Sequence, residues 1–283
     1  MSAPTVSVII PCFNGGRFLD GVLAGLAAQT FRDFEILIVD DGSTEPETRA
    51  KLAALQGSIR VIHQKNRGLS GARNTGFREA GADLVLPLDC DDNIEPTLLA
   101  ETVARFRGAP ETVGFVFTHM RLTGEFSGVM PRHFNYFEQL FYNRLPYCML
   151  IRKSAWVAVG GYDESMRDGY EDWEFNIRLA TAGFRGIEVA KPLFVYRISS
   201  GGMLMSSSAR MHATLWRRIR KKYQDLYSLR GLREVFHQSY PGGGIGRFVL
   251  AALMLGLANA LPDAIVNQVL FYLLRVRWRL RRF

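Results

Sequence analysis

The chain is 283 residues long and 48% hydrophobic, enough to fill a substantial core and too apolar for a disordered segment. Its three cysteines, Cys12, Cys90 and Cys148, are odd in number, far apart and without paired ligand spacing, which argues against a disulfide framework or a zinc site and for a reducing compartment. The net charge of +8 is unevenly placed: residues 1–200 carry a net −3 and residues 201–283 a net +11, so the two portions face different partners. MSAPTVSVII has no basic region followed by a long apolar run, and a cytoplasmic location is the expectation.

Apolar, β-branched runs at 6–10, 34–39, 59–62 and 84–88 read as strands buried on both faces, as parallel strands are. Between the first two, Phe18, Leu19, Val22, Leu23 and Leu26 recur with helical spacing, and Asn14 is placed to cap that helix ahead of Gly15 and Gly16. Helices over 69–80 and 95–107 continue the alternation, which predicts an α/β fold with a mostly parallel central sheet flanked by helices. A strand at 113–119 follows, then an aromatic, irregular stretch over 120–150 and a helix over 171–182 closed by Gly183. IEVAKPLFVY (187–196) reads as an edge strand, because Pro192 cannot donate to a central ladder.

The tail changes character. Residues 209–229 read as one helix carrying Arg217, Arg218, Arg220, Lys221 and Lys222. A glycine hinge over 241–246 leads into an apolar run at 248–261, which falls short of the roughly 20 residues needed to span a bilayer. Residues 264–283 combine an apolar stripe with five arginines after Leu274, a pattern of helices that lie in a membrane interface. The organisation predicted is a domain over 1–208 and a basic, amphipathic, membrane-associating helical region over 209–283. Arginine runs also bind nucleic acid, but the apolar run argues against that partner.

Ligands of such sheets bind beyond the C-terminal strand ends. That rule selects PCFNGG after the first strand, DDGSTE after the second and DCDDN after the fourth. Asp40 and Asp41 either form an Asx turn with Gly42 and Ser43 or accept hydrogen bonds from a ligand. Asp89, Asp91 and Asp92 are either a solvated strand end or a cation site; in an extended segment Asp89 and Asp91 point the same way, toward one ion. NRGLSGARNTG (66–76) brings Arg67 and Arg73 among glycines at a helix start, a helix cap or an anion site. Glu171 and Asp172 complement a helix dipole or supply a general base, and Trp173 is core or a platform for a sugar ring.

Taken in order, VSVIIPCFN, DFEILIVDDGST, NRGLSGARNTG, LPLDCDD, GGYDES and GYEDWEFNIRLA closely resemble the family 2 glycosyltransferases of the GT-A fold, over about residues 5–200. The resemblance implies inverting transfer of a sugar from a UDP or dTDP type nucleotide sugar. Pro11, Phe13, Asn14 and Asp41 would then bind base and ribose, with Asp40 assisting. Arg73 would lie near the nucleotide, Asp89 and Asp91 would hold Mg²⁺ or Mn²⁺ against the diphosphate, Asp172 would be the base, and Glu171 and Trp173 would meet the acceptor. Many relatives carry YRxH after the last strand; here YRIS puts Ser199 at the histidine position, and SSGGMLMSSS (199–208) is a candidate lid over the donor. With the basic tail, the expected acceptor is a glycan or lipid-linked hydroxyl at an anionic membrane surface, on its cytoplasmic face. The alternative is a catalytically inactive membrane-bound scaffold or a nucleotide-sugar binding protein.

Overall fold

The structure, a computed structural model, describes residues 3–55, 57, 59–199 and 211–268. Its first half builds alternating strands and helices: β1 (Val6–Cys12), α1 (Gly16–Ala27), β2 (Phe34–Asp40), α2 (Pro46–Ala54), β3 (Ile59–His63), α3 (Gly68–Glu79) and β4 (Leu84–Pro87). Every residue of β1 is buried, because its two faces serve two cores. Val8 and Ile10 pack with Leu19, Val22 and Leu26 of α1, whereas Ile9 packs with Phe77 of α3. Strict two-residue alternation thus explains why the strand reads as one unbroken apolar run.

The chain continues through β5 (Asn93–Ile94), α4 (Leu98–Phe106), β6 (Val113–Gly124), β7 (Gly128–Met130), α5 (Tyr136–Gln139), β8 (Leu150–Arg152), α6 (Lys153–Ala158), α7 (Glu171–Thr181) and β9 (Arg185–Ile198). Strand order is β3-β2-β1-β4-β8-β6-β9-β5, with β7 on β6. Pairs among β1 to β4 are parallel, as is β6 with β9; β8 is antiparallel to both of its neighbours. Parallel β1, β2 and β4 therefore deliver their following loops to one edge of the sheet.

Several sequence expectations change here. The strand carrying Pro192 is not outermost: β9 pairs with β6 along its length and with the two-residue β5 on its other side. The proline is accommodated where the register shifts between Thr118 and Met120, since a bulge suspends the ladder that it cannot join. The stretch over 120–150 contains the end of β6, β7, α5 and the start of β8, and α2 was not foreseen. Asn14 does not cap α1: the preceding Gly15 caps it without a side-chain bond, and the Asn14 amide is used elsewhere.

Packing divides the chain into two units. One comprises Met1–Phe134, Asn143–Arg167 and Glu171–Ile198 and holds the whole sheet; the other comprises Asn135–Tyr142, Asp168–Tyr170 and Ser199–Phe283. In the second unit the expected single helix over 209–229 is shorter, α8 (His212–Lys222), and is followed by α9 (Leu229–Ser239) and α10 (Gly246–Ala260). Ser228 caps α9 by accepting from the Gly231 amide at 3.0 Å. Within this unit the Leu140 carbonyl accepts from both Trp216 Nε1 (3.0 Å) and the Tyr227 hydroxyl (2.7 Å), and Phe137, Phe236, Tyr240 and Phe248 form an aromatic cluster. Among the described residues no helix is long and apolar enough to cross a membrane. The arginine-rich segment 269–283 and the candidate lid after Ser199 lie outside the described residues.

Candidate active site

Where β1 and β2 end, Asn14 stands in a left-handed conformation (φ 53°), and its side chain joins the two loops. Its Oδ1 accepts from the amides of Thr44 (2.7 Å) and Glu45 (3.0 Å), so it serves the entry to α2. Beside it, Pro11 is buried in the β1 ladder and Phe13 is exposed, an aromatic ring left open at the sheet edge. Asp40 makes the turn that the sequence allowed: its Oδ1 accepts from the Ser43 amide (2.9 Å) and its Oδ2 pairs with His63 Nδ1 (2.8 Å). Burial pushes this carboxyl up, but the Ser43 and His63 bonds outweigh it and hold the pKa below 3.8. Asp41 accepts from Gln64 Nε2 (2.6 Å) and the Arg67 amide (2.8 Å) through one oxygen, fixing the loop that opens α3. The Arg67 guanidinium itself is bound to Glu164 at 2.7 Å.

Arg73, in the middle of α3, is 1% exposed and joins two carboxylates. Nη2 donates to both oxygens of Asp89 (2.9 and 3.0 Å) and Nη1 to Glu171 Oε1 (2.8 Å). Its guanidinium lies over the rings of Tyr147 (4.7 Å) and Tyr162 (5.6 Å). Burial alone would lower its pKa; Asp89 and Glu171 reverse that and raise it. Burial likewise lifts Glu171 to about 7 against the pull of Arg73. The motif GGYDES supports this assembly from behind, because the Tyr162 amide donates to Asn74 Oδ1 (2.7 Å), and a side chain at Gly161 would collide with that same oxygen.

The acidic loop after β4 is not extended. The Asp92 amide donates to the Asp89 carbonyl at 3.2 Å, closing a turn with Cys90 and Asp91 at its centre, so Asp89 and Asp91 are brought together by a reversal rather than by strand alternation. The three carboxylates are held differently. Asp89 is bound by Arg73; Asp92 is buried and accepts from the Tyr147 hydroxyl (2.5 Å) and the Arg197 amide (2.7 Å); Asp91 receives no hydrogen bond from any other described residue. Burial and the neighbouring Asp89 charge raise the pKa of Asp91, and the same two causes act more strongly on Asp92. A cavity of about 330 Å³ opens beside Asp91, and in it the Arg17 and Arg197 guanidiniums lie 4.6 and 5.1 Å from the Phe18 ring.

At the start of α7, Asp172 accepts from the Trp173 amide (2.7 Å) and from Asn143 Nδ2 (2.8 Å). It stays half-buried, and burial raises its carboxyl above the ordinary 3.8 despite Arg73 and Arg132 nearby. Trp173, read as core or as a sugar platform, is 2% exposed; its indole is core, because the helical turn that presents Asp172 rotates it inward. Asn143, Tyr147 and Arg132 were missed by sequence reasoning, lying in the stretch that showed no periodicity.

Among the described residues no group of three His, Cys, Asp or Glu side chains is arranged around a metal position. Two carboxylates nevertheless fit a hard divalent cation, which takes one or two carboxylates and completes its shell with water and substrate phosphate. Asp91 is the fitting ligand: it receives no hydrogen bond from any other described residue, and burial with the Asp89 charge raises its pKa against the pull of Arg197 and Arg17.

Comparison with known proteins identifies the family and the fold. The family model described as glycosyl transferase family 2 matches residues 7–160, and that of glycosyltransferase-like family 2 matches residues 129–228. The amylovoran biosynthesis glycosyltransferase AmsB of Erwinia amylovora is 27% identical over 212 residues, 68% of this chain and 69% of that protein. The putative glycosyltransferase EpsH of Bacillus subtilis is 36% identical over 98 residues, 34% of this chain but 28% of its own length, so the match spans less than a third of that relative. Among solved structures, S. aureus TarS in complex with UDP-GlcNAc superposes with a TM-score of 0.65 at 18% identity, covering 93% of this chain and 89% of that one. The mannosyltransferase PcManGT from Pyrobaculum calidifontis, in complex with GDP-Man and Mn²⁺, gives 0.59 at 18% identity over 97% and 86%. A family match over more than half the chain, on a sheet of this topology, makes the protein a member of glycosyl transferase family 2, a glycosyltransferase of the GT-A fold.

Proposed function

We propose that the protein transfers a sugar with inversion from a UDP or dTDP type nucleotide sugar to a hydroxyl of a glycan or lipid-linked acceptor, at the cytoplasmic face of a membrane. The observation that carries this is the chain Asp89, Arg73, Glu171, which ties the acidic loop to the helix turn presenting Asp172. One buried guanidinium so sets the spacing between the loop that would face the donor and the carboxylate that would face the acceptor. TarS with UDP-GlcNAc and PcManGT with GDP-Man and Mn²⁺ support the donor class and the cation.

In this reading Phe13 stacks on the base, and Asp41, with one carboxylate oxygen already bound, turns the other to the ribose. Asn14 and Asp40 hold those two loops in register. Asp172 takes the acceptor hydroxyl's proton as that oxygen attacks the anomeric carbon from the face opposite the leaving group; the raised pKa makes it a better base than an exposed carboxylate. Asn143 keeps its carboxylate oriented, and no covalent enzyme intermediate is needed. Mg²⁺ or Mn²⁺ held by Asp89 and Asp91 would neutralise charge on the departing nucleoside diphosphate. Arg17 and Arg197 add positive charge beside it.

The test is thermal unfolding of the protein with UDP, dTDP and GDP, each with Mn²⁺ or with chelator, beside Asp91→Ala. A ligand at 100 times its dissociation constant adds about 2.7 kcal/mol, a shift of several degrees. Stabilisation by one nucleotide, requiring both metal and Asp91, is the expected result. No stabilisation by any of them would leave the acidic loop a structural feature and sink the donor assignment.

A further inference from the structure

The D-x-D turn presents Asp91 at its third position, and a turn of that kind holds its shape only if its two ends are kept together. Its internal bond, Asp92 amide to Asp89 carbonyl, is long at 3.2 Å. A second clasp comes from outside the loop. The Tyr147 hydroxyl accepts from the Asp89 amide at 3.1 Å and donates to Asp92 Oδ2 at 2.5 Å, so a single oxygen bonds both ends of the turn. Only a group that is donor and acceptor at once can do this, and only a rigid arm can hold it there. The arm is fixed on both sides: the ring packs edge-on against Phe194 of β9 with centroids 5.2 Å apart, and its face meets the Arg73 guanidinium, which itself grips the Asp89 carboxylate.

We infer that Tyr147 is the positioning residue of the acidic turn: its hydroxyl sets the geometry in which Asp89 and Asp91 meet a divalent cation, while Asp92 is the anchor that it pulls on and not itself a ligand. The inference rests on the cation proposed above. It concerns a residue that binds no substrate atom and acts through the turn alone. Outer-shell partners of this kind change metal affinity when removed, whereas a residue of merely structural importance changes stability without changing the affinity of the molecules that remain folded.

The experiment is Mn²⁺ titration without donor, following the paramagnetic resonance of free Mn²⁺, on wild type, Tyr147→Phe and Asp91→Ala, at a temperature where unfolding curves in chelator show each to be folded. Tyr147→Phe keeps the ring, its packing on Phe194 and its contact with Arg73, and removes only the clasp. Its Mn²⁺ dissociation constant is expected to rise about tenfold, at the lower end of outer-shell effects, with Asp91→Ala losing more. Equal affinity in folded Tyr147→Phe and wild type would overturn the inference and leave the cation proposal standing. Absence of Mn²⁺ binding by wild type would overturn both. Should Tyr147→Phe fail to fold, Asp92→Asn decides: Tyr147 and the Arg197 amide bond different oxygens of Asp92, the side-chain amide can accept only one of them, and the loosened anchor should weaken Mn²⁺ binding by less than Asp91→Ala does. Unchanged affinity would overturn the inference. A loss matching that of Asp91→Ala would make Asp92 a ligand and refute the anchor role.

Discussion

Asp172 combines two properties that a general base needs: it is reachable, and burial raises its carboxyl above 3.8. Asp172→Asn keeps its size and its ability to accept from the Trp173 amide, yet cannot take a proton. Turnover should fall by roughly 10²- to 10⁴-fold, the usual worth of general base catalysis, with the nucleotide-induced thermal shift unchanged. Loss of the shift would move Asp172 into the donor site instead. A pH profile adds a second check. The base must be ionised, so kcat declines on the acid side of the raised carboxylate pKa; the Asn143 hydrogen bond favours the ionised form, and Asn143→Ala therefore displaces that acid limb to higher pH. An unmoved limb would mean that Asn143 does not orient the base. The contrast between these two residues shows what was legible beforehand. Asp172, Asp89 and Asp91 stand in short motifs whose order along the chain is informative, whereas Asn143 and Tyr147 matter only because folding brings them to Asp172 and to the acidic turn, and nothing in a neighbouring residue announces that.

Most elements of the first half were readable because β1, β2 and β4 are apolar at successive positions and α1 carries a plain helical periodicity, whereas α2, with no apolar stripe, was not. Beyond Val113 the strands are bent, short or antiparallel, β8 has three residues, and Pro192 sits in a strand that avoids conflict by a bulge; local pattern cannot encode a register shift between distant strands. Glycines make the same point energetically. In α1, Gly21 is exposed and an added Cβ would meet nothing within 4 Å, so Gly21→Ala should stabilise by up to about 1 kcal/mol through helix propensity. Gly76 of α3 lies against β1, where an added Cβ would stand 2.8 Å from the Cβ of Ile9, a fully buried residue of a central strand with no room to yield. Overpacking costs of about 1 to 3 kcal/mol exceed the propensity gain, and Gly76→Ala should lower the unfolding midpoint. Urea unfolding of the pair checks both signs; a stabilised Gly76→Ala would show that α3 can lift off β1 and that the close approach is not needed to place Arg73.

At the scale of the molecule, charge and apolar exposure both gather at the C-terminal end of the sequence. The net +11 of residues 201–283 contrasts with the net −3 before it, and α10 turns most of its large apolar side chains outward. Val249, Leu250, Leu253 and Leu257 are 45 to 61% exposed at helical spacing, whereas Ala251, Leu255 and Ala258 face inward. A helix with that pattern meets something apolar, and its 15 residues are too few for a bilayer crossing at the helical rise. The membrane association proposed above would account for both features, each basic residue near an anionic surface adding on the order of 1 kcal/mol. The prediction is that the protein floats with vesicles containing anionic lipid, that flotation weakens as salt screens the headgroups, and that Leu250→Asp with Leu253→Asp abolishes it without loss of nucleotide-induced stabilisation in the sheet-bearing unit. Both leucines are exposed, so the double variant tests the surface and not the fold. Flotation that survives the double variant but not high salt would assign membrane attachment to the basic residues alone. Binding to neutral and anionic vesicles alike would remove the electrostatic half of the argument, and no binding to either would detach the acceptor from the membrane altogether.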